Sequence, residues 1–183
     1  MFTLKQTGLL LIFASILIII TGCSTKNIDD AMREVNSVDL TTENIDGIKL
    51  GVSITDESFI NEQGKFDPHP DNDFYAAQRN YDQYWNDRMI MSIDREKKEI
   101  LQIGLLENNL TSESAKGIKV GMPIDQVISV YGEDYFTYND KEQTIYQIGY
   151  VDHHHNLLIL FTHFDNTVTN INVGYAFDRL KWE

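Results

Sequence analysis

The sequence predicts an α+β fold with two tandem modules, each a helix plus an antiparallel sheet, with the helices packed on one face of the sheet. The predictors are a repeated motif, a helix signature in each repeat, and short strand-like segments between turn residues. Gly-Ile-Lys-Leu-Gly at 47–51 recurs as Gly-Ile-Lys-Val-Gly at 117–121, and Leu-Gln-Ile-Gly at 101–104 recurs as Ile-Asn-Val-Gly at 171–174. Because both matches share one offset of 70 positions, they indicate a duplication. We place the modules at 45–111 and 115–183.

The helix is predicted most clearly in the second module. Pro123 suits a first helical turn, because its missing N–H would have no partner there, and Gly132 suits the end of the helix. Between them, apolar residues recur with helical spacing at Ile124, Val127, Ile128 and Tyr131. In the first module, Ser53 takes the starting position and Gly64 ends a weaker apolar stripe.

Strands are predicted where apolar residues lie between turn-forming residues. The second module contains four such segments, at 135–138, 144–151, 157–163 and 168–175. The first module contains two, at 88–93 and 98–107, and the stretch 67–80 with its two prolines reads as an irregular insertion. Helices on one sheet face would leave the other face uncovered.

The N-terminus combines a short apolar segment with the only cysteine of the chain. About a dozen apolar residues follow Lys5, fewer than the roughly 20 of a transmembrane helix. Ile-Thr-Gly then precedes Cys23, which resembles the lipobox of bacterial lipoproteins, whose cysteine receives diacylglycerol and becomes the new N-terminus. An uncleaved signal anchor and an ordinary secretory signal are the alternatives.

The lipobox resemblance implies a signal peptide at 1–22 and a lipid anchor on Cys23. The protein would then lie on the extracytoplasmic face of a bacterial cell membrane, in a host with one membrane or two. Residues 23–44 would form the lipidated cysteine and a flexible tether that includes a short helical turn around 28–35. With no second cysteine, the mature chain forms no internal disulfide.

The charge balance is strongly acidic. The formal net charge is −13, and it becomes about −14 when the leader with Lys5 is removed. A surface this acidic repels nucleic acid and anionic lipid head groups. It favours basic partners or cations, although solubility alone also accounts for it.

The helix start of the second module resembles a known signature. Gly-Met-Pro-Ile-Asp-Gln-Val at 121–127, followed by Tyr131 and Gly132, is similar to the pattern of the SmpA/OmlA (BamE-like) envelope lipoproteins and of the tandem modules of β-lactamase inhibitor protein. In the first module, Val52 replaces the Met and Glu57 stands where the pattern has Val. The resemblance implies a non-catalytic protein that presents a surface to another protein, in cell-envelope assembly or as an inhibitor or immunity protein.

Motifs of catalysis are missing from the sequence. It contains no Gly-x-Ser-x-Gly, no His-Glu-x-x-His and no phosphate-binding glycine-rich loop. We therefore predict no catalytic residues, no enzyme activity and no cofactor.

A histidine cluster supports an alternative function, the sensing of a metal or small ligand. His153 and His155 alternate in the sequence and would share one side of an extended turn, with His163 on the neighbouring strand. Three imidazoles suit zinc, copper or nickel. The bracketing Asp152 and Asn156 are equally typical of a polar hairpin tip.

Aromatic residues are the candidates for contact with a protein partner in the cell envelope. Tyrosine and tryptophan are favoured at interfaces, but they are also ordinary sheet residues that fill cross-strand pairs. The candidates are Phe74, Tyr75, Tyr81, Tyr84 and Trp85 in the first module and Tyr135, Tyr138, Tyr146 and Tyr150 in the second.

Overall fold

The computed structural model describes residues 27–106, 108–140 and 142–182. The predicted signal peptide at 1–22 and the lipidation site Cys23 lie outside these residues. The described residues contain eight strands: β1 (Asp67–Pro68), β2 (Tyr81–Trp85), β3 (Met89–Asp94), β4 (Ile100–Leu105), β5 (Phe136–Asp140), β6 (Ile145–Asp152), β7 (Leu157–Phe164) and β8 (Thr167–Tyr175). They make one antiparallel sheet in the order β1-β2-β3-β4-β8-β7-β6-β5.

The predicted fold class, two helix-plus-sheet modules, is wrong. The described residues contain only three short α-helices, and the two repeats share one continuous eight-stranded sheet. The helices are α1 (Ile28–Glu34), α2 (Glu57–Gln63) and α3 (Ile124–Tyr131). At seven or eight residues each, they cannot cover a sheet this wide, and the fold is dominated by the sheet.

The helices also lie on both faces of the sheet, not on one. Phe59 of α2 and Val127 of α3 pack into a main core that includes Tyr150 of β6. Met32 of α1 packs into a second apolar cluster that includes Val151. Because successive residues of a strand point to opposite faces, α1 covers the face opposite to the other two helices.

The two repeats meet around a local twofold axis between β4 and β8. Ile103 pairs with Val173, its counterpart in the second repeat, and the flanking pairs are Gln102 with Gly174 and Gly104 with Asn172. A shift of 70 positions relates Gln102 to Asn172 and Gly104 to Gly174, so exchanging the two repeats converts each flanking pair into the other. A Cβ added to Gly174 would lie 3.2 Å from Cγ of Gln102, and one added to Gly104 would lie 3.2 Å from Nδ2 of Asn172. Each repeat's glycine thus makes room for the amide side chain of the other repeat.

The residues at the helix ends explain where the chain turns. Helix α3 begins after Pro123 and ends at Gly132, whose N–H donates to the carbonyl of Ile128, as the sequence predicts. Helix α2 begins after Asp56 instead of Ser53, and it ends at Gly64 as predicted. Gly64 and Gly132 have φ values of +78° and +98°, where a side chain would strain the backbone.

Residues 27–44 are packed against the sheet, in contrast to the predicted flexible tether. Ile28, Ala31, Met32 and Val35 recur with helical spacing, and they join the second apolar cluster. Beyond α1, the N–H of Val38 donates to the carbonyl of Val151 over 2.9 Å, and Leu40 is buried. The apolar stripe spans only two helical turns. From the sequence alone it is too short to predict a packed element, because the apolar cluster that it contacts is formed by distant residues.

Candidate partner-binding site

Three aromatic residues meet at the β2 end of the sheet. The ring of Tyr75 lies 4.8 Å from that of Phe74, edge to face, and 5.0 Å from that of Trp182. Phe74 is 74% exposed and Trp182 is 58% exposed. We call Phe74, Tyr75 and Trp182 the aromatic corner. Sequence analysis missed Trp182, because only the tertiary fold brings the C-terminal segment beside the loop before β2.

Arg79 forms the base of the aromatic corner. It is only 4% exposed, and its guanidinium carbon lies 5.3 Å from the ring of Tyr75, 5.2 Å from that of Tyr81 and 5.9 Å from that of Trp182. Its terminal nitrogens donate to Oε1 of Gln83 over 2.9 Å and to Oδ1 of Asn72 over 2.8 Å. Ring faces attract a cation, so Arg79 holds the rings in fixed positions.

Hydrogen bonds tie both chain segments of the aromatic corner to each other. Asn80 donates through its side chain to the carbonyl of Arg179 over 3.0 Å, and its Oδ1 accepts from the N–H of Lys181 over 2.8 Å. Arg79 and Trp182 pair as an isolated β-bridge. Because the base is ordered before any contact, a partner that binds the exposed rings loses little conformational entropy.

The other predicted aromatic residues of the first module lie around the same edge of the sheet. Tyr81 is buried beneath Arg79, and Tyr84 is half-buried against the main core. Trp85 is exposed, and its ring lies 5.0 Å from that of His69. Of these three residues, Trp85 alone is exposed.

The aromatic residues of the second module do not form one surface. Tyr150 is fully buried, and its hydroxyl donates to the carbonyl of Gly132 over 2.9 Å; burial raises the pKa of this hydroxyl above its ordinary value. Tyr135 packs on Tyr150, and Tyr138 joins the apolar cluster on the opposite face. Tyr146 is half-buried, with its ring 6.2 Å from that of His163.

The structure does not bring the three predicted metal ligands together. His153 and His155 lie in the turn after β6, whereas His163 lies near the far end of β7. Six residues of strand place it about 20 Å from the turn. Within the described ranges, no group of three or more His, Cys, Asp or Glu residues is arranged to hold a metal ion.

The histidine turn instead holds the N-terminal segment. The ring of His153 donates from Nε2 to the carbonyl of Val35 over 2.9 Å, and its backbone N–H donates to Oγ of Ser37. Asp152 accepts from the N–H of Leu40 over 3.1 Å and from the ring of His155 over 2.9 Å. Burial disfavours the charged form of Asp152, but these hydrogen bonds outweigh it and lower its pKa below the ordinary 3.8.

A second buried polar group supports helix α3. The hydroxyl of Tyr131 donates to Oε2 of Glu43 over 2.8 Å and lies 2.9 Å from Oγ of Ser114. Burial, and then the neighbouring charge of Glu43, raise the pKa of Tyr131 well above its ordinary value of 10. The hydroxyl therefore stays protonated and links three segments of the chain.

Comparisons with family models, curated proteins and solved structures found no match for this chain. The resemblance to the SmpA/OmlA group and to β-lactamase inhibitor protein therefore stays a prediction. Among the helices of the described residues, none has the length and apolar character needed to cross a membrane.

Proposed function

We propose that this protein is a lipid-anchored, extracytoplasmic, non-catalytic module that binds another protein through its aromatic corner. The roles that fit are cell-envelope assembly, or inhibition of or immunity to an enzyme that acts in the envelope. The observation that carries the proposal is the exposure of Phe74 and Trp182 on the ordered base of Arg79. Tryptophan, tyrosine and arginine are the residues that most often dominate binding energy at protein interfaces.

The surroundings of the aromatic corner favour a protein partner over a small molecule. The cavity beside it, lined by residues 77–80 and Lys181, has a volume of about 150 Å³, whereas pockets for drug-sized ligands start near about 300 Å³. A flat protein surface can cover the exposed rings without needing a deep cavity. Metal sensing by His153, His155 and His163 gains no support, because the three imidazoles lie apart.

The net charge adds a property of the partner. A chain with a formal charge of −13 attracts basic surfaces at long range, and salt screens this attraction. We therefore propose a partner whose contact surface is basic around an apolar centre. Its association rate should fall as the salt concentration rises.

Site-specific photo-crosslinking in the native envelope tests the proposal. Photo-reactive side chains replace Phe74 in one variant and Trp182 in another, and the control variant carries the group at Leu110, which is 63% exposed and lies outside the aromatic corner. We expect both corner positions, but not position 110, to capture the same protein, which mass spectrometry identifies. Adding Phe74→Ser to the variant with the group at position 182 should lower the yield several-fold. No product at either corner position, or the same products at position 110, would contradict the proposal.

A further inference from the structure

We infer that the edge of the domain formed by α1 and β5 faces the membrane at close range, and that the sheet stands upright with the aromatic corner directed away from the lipid. The inference rests on the lipid anchor of the proposed function. Cys23 and Asn27, the first described residue, are four positions apart. Four residues span at most about 14 Å in any conformation. A free tether of about 20 residues would instead reach about 70 Å.

The short reach follows from contacts along the whole segment that precedes the first repeat. Ala31 and Met32 are buried against Phe136, Val151 and Leu158. Beyond the helix, Asn36 donates to Oδ1 of Asp134 over 2.7 Å, and Leu40 donates to Asp152. Because these contacts run from the start of α1 to position 40, no long free segment separates the anchor from the sheet.

The strand order places the aromatic corner far from this attachment. Helix α1 contacts β5 and β6, with β5 at one edge of the sheet, whereas Arg79 and Tyr75 pack beside β2 near the other edge. Six strand spacings of about 4.8 Å separate β5 from β2, or about 29 Å along the sheet. The lipid and the aromatic corner thus lie at opposite ends of the strand order.

Charge decides between an upright sheet and one that lies flat. The chain carries a formal charge of −13, and exposed acidic residues lie at both ends of the strand order. Asp71 and Asp73 precede Phe74 of the aromatic corner, and α1 carries Asp29 and Asp30. Anionic lipid repels such a surface over a Debye length of about 8 Å. Only the α1 edge is held at the membrane by a covalent link, so repulsion is lowest when the rest of the sheet points outward. The partner then contacts a surface about 30 Å along the sheet from the membrane-facing edge, which fits a protein that projects from the envelope, not a transmembrane segment.

Fluorescence quenching on vesicles tests this orientation. Lipidation consumes the thiol of Cys23, so Thr137→Cys on β5 and Asp73→Cys beside the aromatic corner each provide one reactive thiol for a fluorophore; both positions are exposed. The lipidated full chain is placed in vesicles of phosphatidylethanolamine and phosphatidylglycerol that contain a nitroxide on the lipid head group. We expect several-fold stronger quenching at position 137 than at position 73. Adding Met32→Asp, which releases α1, should reduce the quenching at position 137 to the level seen at position 73.

The possible outcomes separate this inference from the proposed function. Strong quenching at both positions would mean that the sheet lies flat, and weak quenching at both would mean that a free tether holds it away. Either result overturns the inference and leaves the crosslinking result standing. If the protein does not float with the vesicles, the lipid anchor is wrong and the inference falls with it. The comparison of the two labels in the otherwise unaltered chain decides the orientation, and this comparison does not depend on whether Met32→Asp folds.

Discussion

Gly149 marks a point where the sheet leaves no room for a side chain. A Cβ at this position would lie 2.5 Å from Cζ of Phe136 and 2.7 Å from Cδ2 of Leu160. We expect Gly149→Ala to lower the free energy of unfolding by about 1–3 kcal/mol, because a packed core resists added volume. Urea unfolding measures the loss. The control is Gly104→Ala, whose nearest neighbour is the movable end of Asn172 at 3.2 Å, and an equal loss in both variants would contradict the argument.

His163 gives the folded protein a defined dependence on pH. Burial lowers its pKa below the ordinary 6.5, so the unfolded chain binds this proton more readily than the folded chain does. The contribution of His163 to the free energy of unfolding is therefore fully present above pH 6.5. It is lost as the pH drops from there to the folded-state pKa. Urea unfolding between about pH 7 and pH 5 measures this loss of stability. We expect His163→Gln to make the loss smaller. His154→Gln, at an exposed position, should leave the loss as it is in the unaltered protein. An unchanged slope in His163→Gln would show that another group is responsible.

At the scale of single elements, substitutions in α1 test whether the segment before the first repeat is docked on the sheet or is a free tether. Met32 is 3% exposed, and its contacts lie in the second apolar cluster. We expect Met32→Ala to lower the free energy of unfolding by about 2–3 kcal/mol, since it leaves a cavity between helix and sheet. Asp30→Ala, at an exposed position of the same helix, should change it by less than about 0.5 kcal/mol. A free tether would make both changes neutral.

The elements that the sequence predicts well are those whose signals are local. Helix α3 has a proline at its start, a glycine at its end and an apolar stripe between them. The strands of the second repeat are long and bounded by turn residues. The features that the sequence does not show depend on distant partners. Strand β2 carries polar Asp82 and Gln83 and is defined by its pairing with β3. The short helical turn of α1 is visible in the sequence, but its docking depends on the apolar cluster beneath it.

The candidate site shows the same limit. Sequence composition points to Phe74 and Tyr75, because five aromatic residues fall between positions 74 and 85. It cannot point to Trp182, whose position comes from the bridge between Arg79 and the C-terminal segment. It also cannot separate the buried Tyr150 from the exposed residues, since that requires the strand register.

At the scale of the whole molecule, the pairing of β4 with β8 joins the two repeats into one unit. Three residue pairs cross this junction, and the main core combines Met91 from the first repeat with Ile159 from the second. With Cys23 as the only cysteine, no disulfide stabilises either half alone. We therefore predict one cooperative unfolding transition in urea, because neither half can expose its part of the shared core while the other stays folded.

Two substitutions, one in each repeat, test this prediction. Met91 and Ile159 are fully buried, and Met91→Ala and Ile159→Ala should each lower the free energy of unfolding by about 2–4 kcal/mol. Each variant should shift the whole transition to lower urea with an unchanged slope. Tryptophan fluorescence reports on the β2 end through Trp85 and Trp182, while far-ultraviolet circular dichroism reports on the entire sheet, so the two signals should coincide. If the repeats fold separately, Ile159→Ala would split the circular dichroism transition and leave the tryptophan transition in place.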